Sequence, residues 1–399
     1  MPPVSRSGGS RRGDAVALAV ACALVASCGS ERPARSASGS ELPAGAPAAV
    51  DSSARLAVGV VRGDTAREFH DVVDPFLLPD GRLVVPDAGS GTIRVFGPGG
   101  ELVASLGGPG EGPGEFGRLN AAWARGDTIE AFDADLGRIT LFPPGGEPTS
   151  VKLDVTAPAQ GGVPGSLPDG GWTLTGVESV RLGARDTVAV HRYGPDGAHE
   201  GVVTHIAGIR RFRTERLGGP DPLSPRAVFA VHGGRVYAAE TQTPEIRVLS
   251  PDGRLERTLT WDPGERPEPE EAFREAVDAA ASRAGMSSDR YRKILEAFPV
   301  TGPVPAFWGF RVDALGFVWI EPFEPSRRSI LSSAPLGPSE PVRWLILSPD
   351  GKRAGHVELP GRFEPTWIGR DAVVGVRWDS LAVQHVEVHA LQRRAGGGA

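Results

Sequence analysis

The chain has 399 residues and a formal net charge of -6, with 54 glycines, 37 prolines and only two cysteines. Both cysteines, Cys22 and Cys28, lie near the N-terminus. A disulfide framework, a thiolate metal site and a cysteine nucleophile are therefore excluded from the rest of the chain. The acidic balance argues against nucleic acid as a partner, because surfaces that bind nucleic acid are basic.

The first 27 residues have the organisation of an export signal. Three arginines precede an apolar run, Ala15–Ala26, which is too short to cross a bilayer as a folded helix. The run ends in Val25-Ala26-Ser27-Cys28, which resembles the lipobox of bacterial lipoproteins. The resemblance implies cleavage before Cys28 and a lipid on its thiol; the alternative is an ordinary cleaved signal with a chance cysteine. We expect an extracytoplasmic protein, lipid-anchored to a bacterial membrane on its periplasmic or cell-surface side, with no other membrane contact.

A polar segment follows the predicted anchor. Residues 28–52 are rich in Ser, Ala, Pro and Gly and almost free of large apolar side chains, so we expect a flexible tether. Residues 53–394 carry the short apolar runs that can build a core, and residues 395–399 are predicted to form a disordered tail.

The middle of the chain repeats one pattern five times: an apolar strand, a Pro-Gly turn and a second strand. Proline presets the first corner of such a turn, and glycine supplies a positive φ. Two further strands precede each turn, which gives a unit of four strands, a to d, with the turn between c and d. The turns are Gly97–Gly100, Pro143–Gly146, Gly194–Gly197, Ser250–Gly253 and Ser348–Gly351.

A sixth unit begins at Phe363 and has only three strands. The predicted strand Arg55–Val61 can supply the fourth, since an N-terminal strand that completes the last blade joins the chain ends and protects the sheet edge. The pattern therefore predicts an all-β protein, a six-bladed β-propeller closed by its N-terminal strand.

Two segments carry a family resemblance. Residues 79–107 resemble an NHL repeat. The segment Gly107–Phe116 is similar to the Gly-Pro-Gly-Glu-Phe signature of a large set of six-bladed propeller lipoproteins from bacteria, whose function is uncharacterised. The resemblance covers about residues 55–392. It implies the fold and no activity.

One segment departs from the strand pattern. Residues 263–300, between blades four and five, carry apolar side chains at helical spacing. The first set, Phe273, Val277, Ala280 and Ala284, predicts a short amphipathic helix, and the second, Tyr291, Ile294, Leu295 and Phe298, predicts another.

The two faces of the predicted propeller differ. The a–b and c–d turns share one face, here named the turn face, and the c–d turns are uniformly short. The b–c loops and the links between blades share the opposite, loop-rich face, which carries the helical insert and the loop Pro322–Pro341. Because functional residues concentrate in loops on a rigid scaffold, this face is predicted to bind the partner. The alternative is that its loops only cover the channel mouth.

Acidic and basic clusters supply candidate ligand contacts on the loop-rich face. Glycines around two glutamates could form a backbone nest, and the basic link Ile209–Arg216 could clamp an anion. An ordinary turn and a solvated loop are the alternatives. The candidate residues are Glu111, Glu115, Arg210, Arg211, Arg213 and Arg216.

Metal-binding chemistry has two weak candidates. The acids that end equivalent b strands, Asp87, Asp133, Glu240 and Glu321, could ring a cation, or each could cap its own b–c loop by accepting backbone N–H bonds. His385, Glu387 and His389 alternate along one strand and so share a face, but no third histidine or cysteine is near them in sequence. No cofactor is predicted, and calcium or zinc stays open.

Two functions fit these observations. The first is a membrane-tethered binding or scaffold protein that recognises a protein, peptide or glycan through its loop-rich face. The alternative is a metal-dependent enzyme of the lyase or lactonase type with its site at the central channel. Converging carboxylates or histidines in the innermost strands would favour the enzyme. The innermost strands that can be predicted, Ala121–Ala124, Phe229–Val231 and Thr366–Ile368, are mostly apolar and favour binding.

Overall fold

The computed structural model describes residues 44–60, 62–155, 165–180, 183–213, 218–221, 223–283, 287–289, 293, 302–327, 340–379 and 383–394. The predicted export signal, Cys28, most of the tether, the C-terminal tail, the residues of the second predicted helix and Arg216 lie outside the described residues. Within them, no helix is both long and apolar enough to span a membrane.

The described strands form six antiparallel sheets around a central axis, and β1 (Pro47–Val58) belongs to the last of them. The first sheet contains β2 (Phe76–Leu77), β3 (Leu83–Asp87), β4 (Thr92–Phe96) and β5 (Leu102–Gly107); the second contains β6 (Leu119–Arg125), β7 (Thr128–Asp133), β8 (Arg138–Phe142) and β9 (Thr149–Lys152); the third contains β10 (Gly165–Ser166), β11 (Trp172–Ser179), β12 (Arg185–Tyr193), β13 (His199–Arg213) and β14 (Gly218–Pro220). The fourth contains β15 (Ala227–His232), β16 (Arg235–Glu240), β17 (Glu245–Leu249) and β18 (Leu255–Thr260); the fifth contains β19 (Gly309–Val312), β20 (Val318–Glu321), β21 (Val342–Leu347) and β22 (Arg353–Leu359); the sixth contains β23 (Phe363–Ile368), β24 (Ala372–Trp378) and β25 (Gln384–Arg393) together with β1. The chain is a six-bladed β-propeller, as the repeats predicted.

The N-terminal strand closes the ring. β1 pairs antiparallel with β25, with Val58 opposite Val386 and Ala54 opposite His389. The predicted closure is confirmed, but the strand begins at Pro47 rather than Arg55 and ends at Val58. The reason is that β25 continues to Arg393, where its backbone still offers a partner to Pro47. Residues 47–52, predicted as tether, are therefore part of the sheet.

The Pro-Gly turns fix how neighbouring blades meet. Gly197 has a φ of 85°, and a Cβ there would lie 2.0 Å from the carbonyl oxygen of Lys152 in the preceding blade. Gly253 has the same φ, and its Cβ would lie 2.6 Å from the carbonyl oxygen of Val203. Glycine is required at both places because the turn needs a positive φ and rests on the outer strand of the preceding blade.

The hydrophobic core lies between neighbouring sheets, so both faces of a blade are buried. Leu83 of the first sheet packs with Val374 and Val388 of the last. On the opposite face, Ile93 packs with Leu119 and other apolar residues of the second sheet. This packing explains why the strands carry apolar residues at consecutive positions, as in β3, where all five residues are buried.

The helical insert contains α1 (Pro269–Arg283), between the fourth and fifth sheets. Its buried face is formed by Ala272, Ala276, Val277 and Ala280, and Phe273 is half-buried at its margin. Glu270 and Glu271 lie in its first turn, where they interact favourably with the helix dipole. The first predicted helix is thus confirmed.

Blade three is larger than predicted. β13 extends from His199 to Arg213 and pairs with both β12 and β14. The segment predicted as a basic link therefore lies mostly in a strand. The sequence did not reveal this because the Arg-rich stretch lacks the apolar alternation that marks a half-buried strand.

Candidate functional site

Two of the four candidate acids cap their own loops. The Asp133 side chain is buried and accepts hydrogen bonds from the backbone amides of Gly117 (2.7 Å), Arg118 (3.2 Å), Asp135 (3.0 Å) and Leu136 (3.0 Å). These amides belong to the link before the blade and to the b–c loop. The carboxylate therefore joins two segments that a propeller repeat must hold together.

Asp87 has the same arrangement in blade one. It is buried and accepts hydrogen bonds from the amides of His70 and Asp71, from the Ser90 hydroxyl and from Arg94. Burial raises the pKa of Asp87, but the hydrogen bonds from Asp71, Ser90 and His70 outweigh it, and the pKa lies below its ordinary value.

Glu240 and Glu321 do not repeat this arrangement. Glu240 pairs with Arg185, and the Glu321 carboxylate lies 3.9 Å from the Arg327 guanidinium. In blade four the next residue, Thr241, accepts the equivalent amide hydrogen bond, from Arg226. The four predicted acids thus lie in four sheets, each with local partners. Across the part of the chain that the structure describes, no group of three or more His, Cys, Asp or Glu residues is arranged to hold a metal ion.

The His385, Glu387 and His389 stripe lies inside the last blade. His385 contacts the Asp379 carboxylate at 3.2 Å. Glu387 accepts a hydrogen bond from Arg377 (2.6 Å) and contacts His389 (3.1 Å), whose other ring nitrogen lies 2.8 Å from the carbonyl oxygen of Asp51. These contacts tie the last blade to the N-terminal strand, so the stripe has a structural explanation.

The Glu111–Glu115 loop is held by the next blade. The Arg138 guanidinium donates to the carbonyl oxygens of Glu111 (3.1 Å), Gly112 (2.8 Å) and Glu115 (2.8 Å). The Glu115 carboxylate accepts from the Gly112 amide within its own loop, and both glutamates are exposed. The signature segment therefore acts as a braced link between blades one and two.

The basic candidates are only partly described. Arg211 pairs with Asp186 at 2.9 Å, and the Arg210 amide donates to the Ser224 hydroxyl. Arg213 is the last residue of β13, and Arg216 lies outside the described residues. Arg211 therefore already has a carboxylate partner, and anion binding by this cluster stays a prediction.

Blade three also carries a histidine cluster that the sequence did not suggest. The buried His191 contacts His199 (3.1 Å), and Glu178 lies between His191 (3.8 Å) and the exposed His205 (2.8 Å). Burial and the charge of His199 lower the pKa of His191 below its ordinary 6.5. The histidines come together because β12 and β13 pair across long strands.

The innermost strands of all six sheets enclose a cavity of about 480 Å³, the central channel. Its walls include the predicted innermost segments of blades two, four and six. His232, Gly233 and Asp313 line it at the a–b turns, so the cavity reaches the turn face. The pairing of each a strand with its b strand shows which residues of different blades lie at the same depth in the channel. One such set is Phe76, Trp123, Gly165, Ala230, Arg311 and Trp367.

Charged side chains line part of the channel, whose other walls include apolar and aromatic residues. Asp74 lines it just before β2, and Arg311 lines it from β19. Arg311 donates to the carbonyl oxygens of Pro365 (3.2 Å) and Phe310 (3.1 Å). The surrounding protein raises the pKa of Asp74 by desolvation, which the Arg311 charge opposes and Glu364 reinforces. Asp74 is exposed and lines the channel, so this residue is open to a ligand.

A second carboxylate stiffens the channel wall. Glu130 is buried on β7 and accepts hydrogen bonds from Trp123 (2.7 Å), Ser166 (2.7 Å) and Trp172 (2.9 Å), with Arg125 at 2.6 Å. The Trp123 indole is thereby held in place where it lines the channel. Such support by a hydrogen-bond network is what a preformed binding site requires.

Sequence reasoning missed Asp74, Arg311 and Glu364. Their separation along the chain hides them, because the ring brings residues from opposite ends of the sequence together. The sequence does predict the a strands, and hence which segments line the channel. It does not predict which charged side chains of different blades lie close together there.

Comparison with known proteins supports the fold alone. Neither a protein-family model nor a curated protein matches the chain. A member of the DUF4221 family from Bacteroides vulgatus is similar in structure, with a TM-score of 0.52 at 10% identity over 86% of this chain and 98% of that one. A Bacteroides fragilis protein named for its expected export gives 0.46 at 11% identity over 85% and 94%. A virginiamycin B lyase from Staphylococcus aureus gives 0.42 at 11% identity over 84% and 99%.

Proposed function

We propose that the protein is a binding propeller that takes part of a peptide or glycan ligand into the turn-face mouth of its central channel. The observation that carries this proposal is the cavity of about 480 Å³ built by all six sheets, with Asp74 among its lining residues. Small-ligand sites have volumes of roughly 300–1,000 Å³, with mostly apolar walls and a few polar groups. The channel has that size and composition.

The proposal includes the cellular location that the export signal predicts. The protein would be held outside the cytoplasm by a lipid on Cys28. The first described residues lie at the turn face, where Arg393 donates to the carbonyl oxygen of Gly45. A tether of about twenty residues reaches roughly 25 Å, which lets the propeller turn its channel towards a ligand.

This binding site lies in the channel and not on the loop-rich face that the sequence favoured. The Glu111–Glu115 loop is braced by Arg138, and Arg211 is paired with Asp186. Most of the insert after Arg283 and residues 328–339 lie outside the described residues. Recognition by those loops stays a prediction.

A binding screen with a blocked channel tests the proposal. The chain from Gly29 onward would be screened by thermal shift against peptide and glycan panels, with calorimetry for each ligand found. Ala230→Phe adds a large side chain where Ala230 lines the cavity. Ala57→Phe makes the same change at an exposed position of β1 and serves as the control.

We expect a ligand that binds the parent and Ala57→Phe equally and fails to bind Ala230→Phe. Equal binding to Ala230→Phe would contradict the channel as the site. Elemental analysis before and after chelation is a second test. A stoichiometric, tightly held calcium or zinc would contradict this proposal and favour the metal-dependent enzyme.

A further inference from the structure

Carboxyl groups outnumber guanidinium groups in the channel wall and next to it. Asp74 and Glu364 are two carboxyls near one guanidinium, Arg311. At the turn-face mouth, Asp313 is already paired with Arg393 at 2.9 Å and accepts from the Trp319 indole at 3.1 Å. Burial lowers the pKa of the neighbouring His232, so its ring is neutral at pH 7. Among the described residues, three carboxyl groups (Asp74, Glu364 and Asp313) thus lie near two guanidinium groups, those of Arg311 and Arg393.

The backbone holds Asp74 in an unusual conformation. Its φ is 40°, which is uncommon for a residue other than glycine, and it precedes Pro75, which restricts it further. The flanking chain is anchored on both sides: the Val73 amide donates to the carbonyl oxygen of Pro86 (3.0 Å), and the Thr366 hydroxyl donates to that of Pro75 (2.7 Å). Such strain persists only where the surrounding structure imposes it, and it concentrates at functional sites.

The Asp74 carboxyl has capacity for a ligand. Among the described residues, none donates a hydrogen bond to it. Arg311 acts on Asp74 through its charge, while its Nε and Nη1 groups donate to backbone carbonyls. A carboxyl that lines the cavity and accepts no hydrogen bond from the protein can accept one from a ligand.

The other walls favour an organic cation over a metal ion. Phe76, Trp123 and Trp367 line the same cavity, and aromatic side chains attract ammonium and guanidinium groups. A metal ion would need several oxygen or nitrogen ligands at one point, and no such group is found among the described residues.

We propose that the channel binds the ammonium or guanidinium group of an organic ligand, with Asp74 as its counter-charge and the aromatic side chains around it. This inference rests on the proposed function and names the chemistry of its ligand. The same chemistry occurs in a lysine side chain and in an amino sugar.

Calorimetry with paired probes tests the inference. The cationic probes are cadaverine, N-acetyl-Ala-Lys-Ala amide and glucosamine. Their uncharged counterparts are pentanol, N-acetyl-Ala-Gln-Ala amide and N-acetylglucosamine. Each would be titrated into the chain from Gly29 onward, into Asp74→Asn, and into Asp80→Asn. Asp80 lies in the a–b turn of blade one, where it pairs with Arg82 outside the cavity, and it serves as the control.

We expect at least one cationic probe to bind and its uncharged counterpart not to bind. Asp74→Asn should weaken binding about tenfold or more, because a charge-assisted hydrogen bond is lost, and Asp80→Asn should not. The probe that binds best identifies the peptide or the amino sugar as the source. Equal binding to Asp74→Asn would overturn the inference. Uncharged peptides or glycans that bind the channel while all three cations fail would overturn it and leave the proposed function standing.

Discussion

Removing the Asp133 carboxylate should destabilise the propeller far more than removing a neighbouring exposed acid. Oδ1 of Asp133 accepts from the amides of Arg118, Asp135 and Leu136, and Oδ2 accepts from that of Gly117. Asp133→Ala removes all four acceptor contacts at once. The amides then face a buried space without an acceptor, in both the link and the b–c loop.

The magnitude follows from these four bonds. At a net value of about 1 kcal/mol each, their loss lowers the free energy of unfolding by about 4 kcal/mol. Water molecules that enter the space and accept from the freed amides would reduce this value. Asp133→Asn keeps one acceptor oxygen and loses the contact with Gly117, so it should cost about 1–2 kcal/mol. Asp135→Ala removes an exposed ion pair with Arg118 and should cost less than about 0.5 kcal/mol.

Urea unfolding followed by tryptophan fluorescence would measure the three variants beside the parent. The predicted order of destabilisation is Asp133→Ala, then Asp133→Asn, then Asp135→Ala. If Asp133→Ala were no less stable than Asp135→Ala, the capping role of Asp133 would be refuted.

The remaining predictions concern a brace, a pH dependence and the anchor. Arg138→Ala should lower the free energy of unfolding by about 2 kcal/mol and expose residues 107–116 to protease, with Arg138→Lys intermediate; unchanged proteolysis would contradict the bracing role. Because the folded-state pKa of His191 lies below its ordinary 6.5, stability should be lost as pH falls below about 6.5, and His191→Gln should reduce that loss in urea midpoints. An equally steep loss in His191→Gln would assign the effect to another group. Cys28→Ser should abolish labelling with radioactive palmitate and release the protein from the membrane fraction; a labelled variant would disprove the lipid site.

The repeat pattern predicted most of the fold because propeller blades are local. Most four-strand units are contiguous in sequence. Glycines such as Gly197 and Gly253 mark the c–d turns, because each has a positive φ and lies against the backbone of the preceding blade. The pairing of β1 with β25 was also predictable, since a three-stranded last unit leaves an edge to be covered. The start of β1 was not, because Pro47–Ser52 has only one large apolar side chain, Val50, and is held by backbone pairing to β25.

The candidate site was much less predictable. A cap such as Asp133 could be anticipated from its place at the end of a b strand. Asp74, Arg311 and Glu364 could not, because their meeting depends on ring closure between the first, fifth and sixth sheets. The length of β13 was missed for a different reason, since three of its last four residues are arginines, a composition typical of a solvated loop.

A crystal structure of the chain from Gly29 onward, soaked with the tightest ligand of the binding screen, tests the central claim most directly. The account predicts ligand density inside the channel, with a donor group within hydrogen-bond distance of the Asp74 carboxyl. Density seated instead on the loop-rich face, with the channel unoccupied, would contradict it.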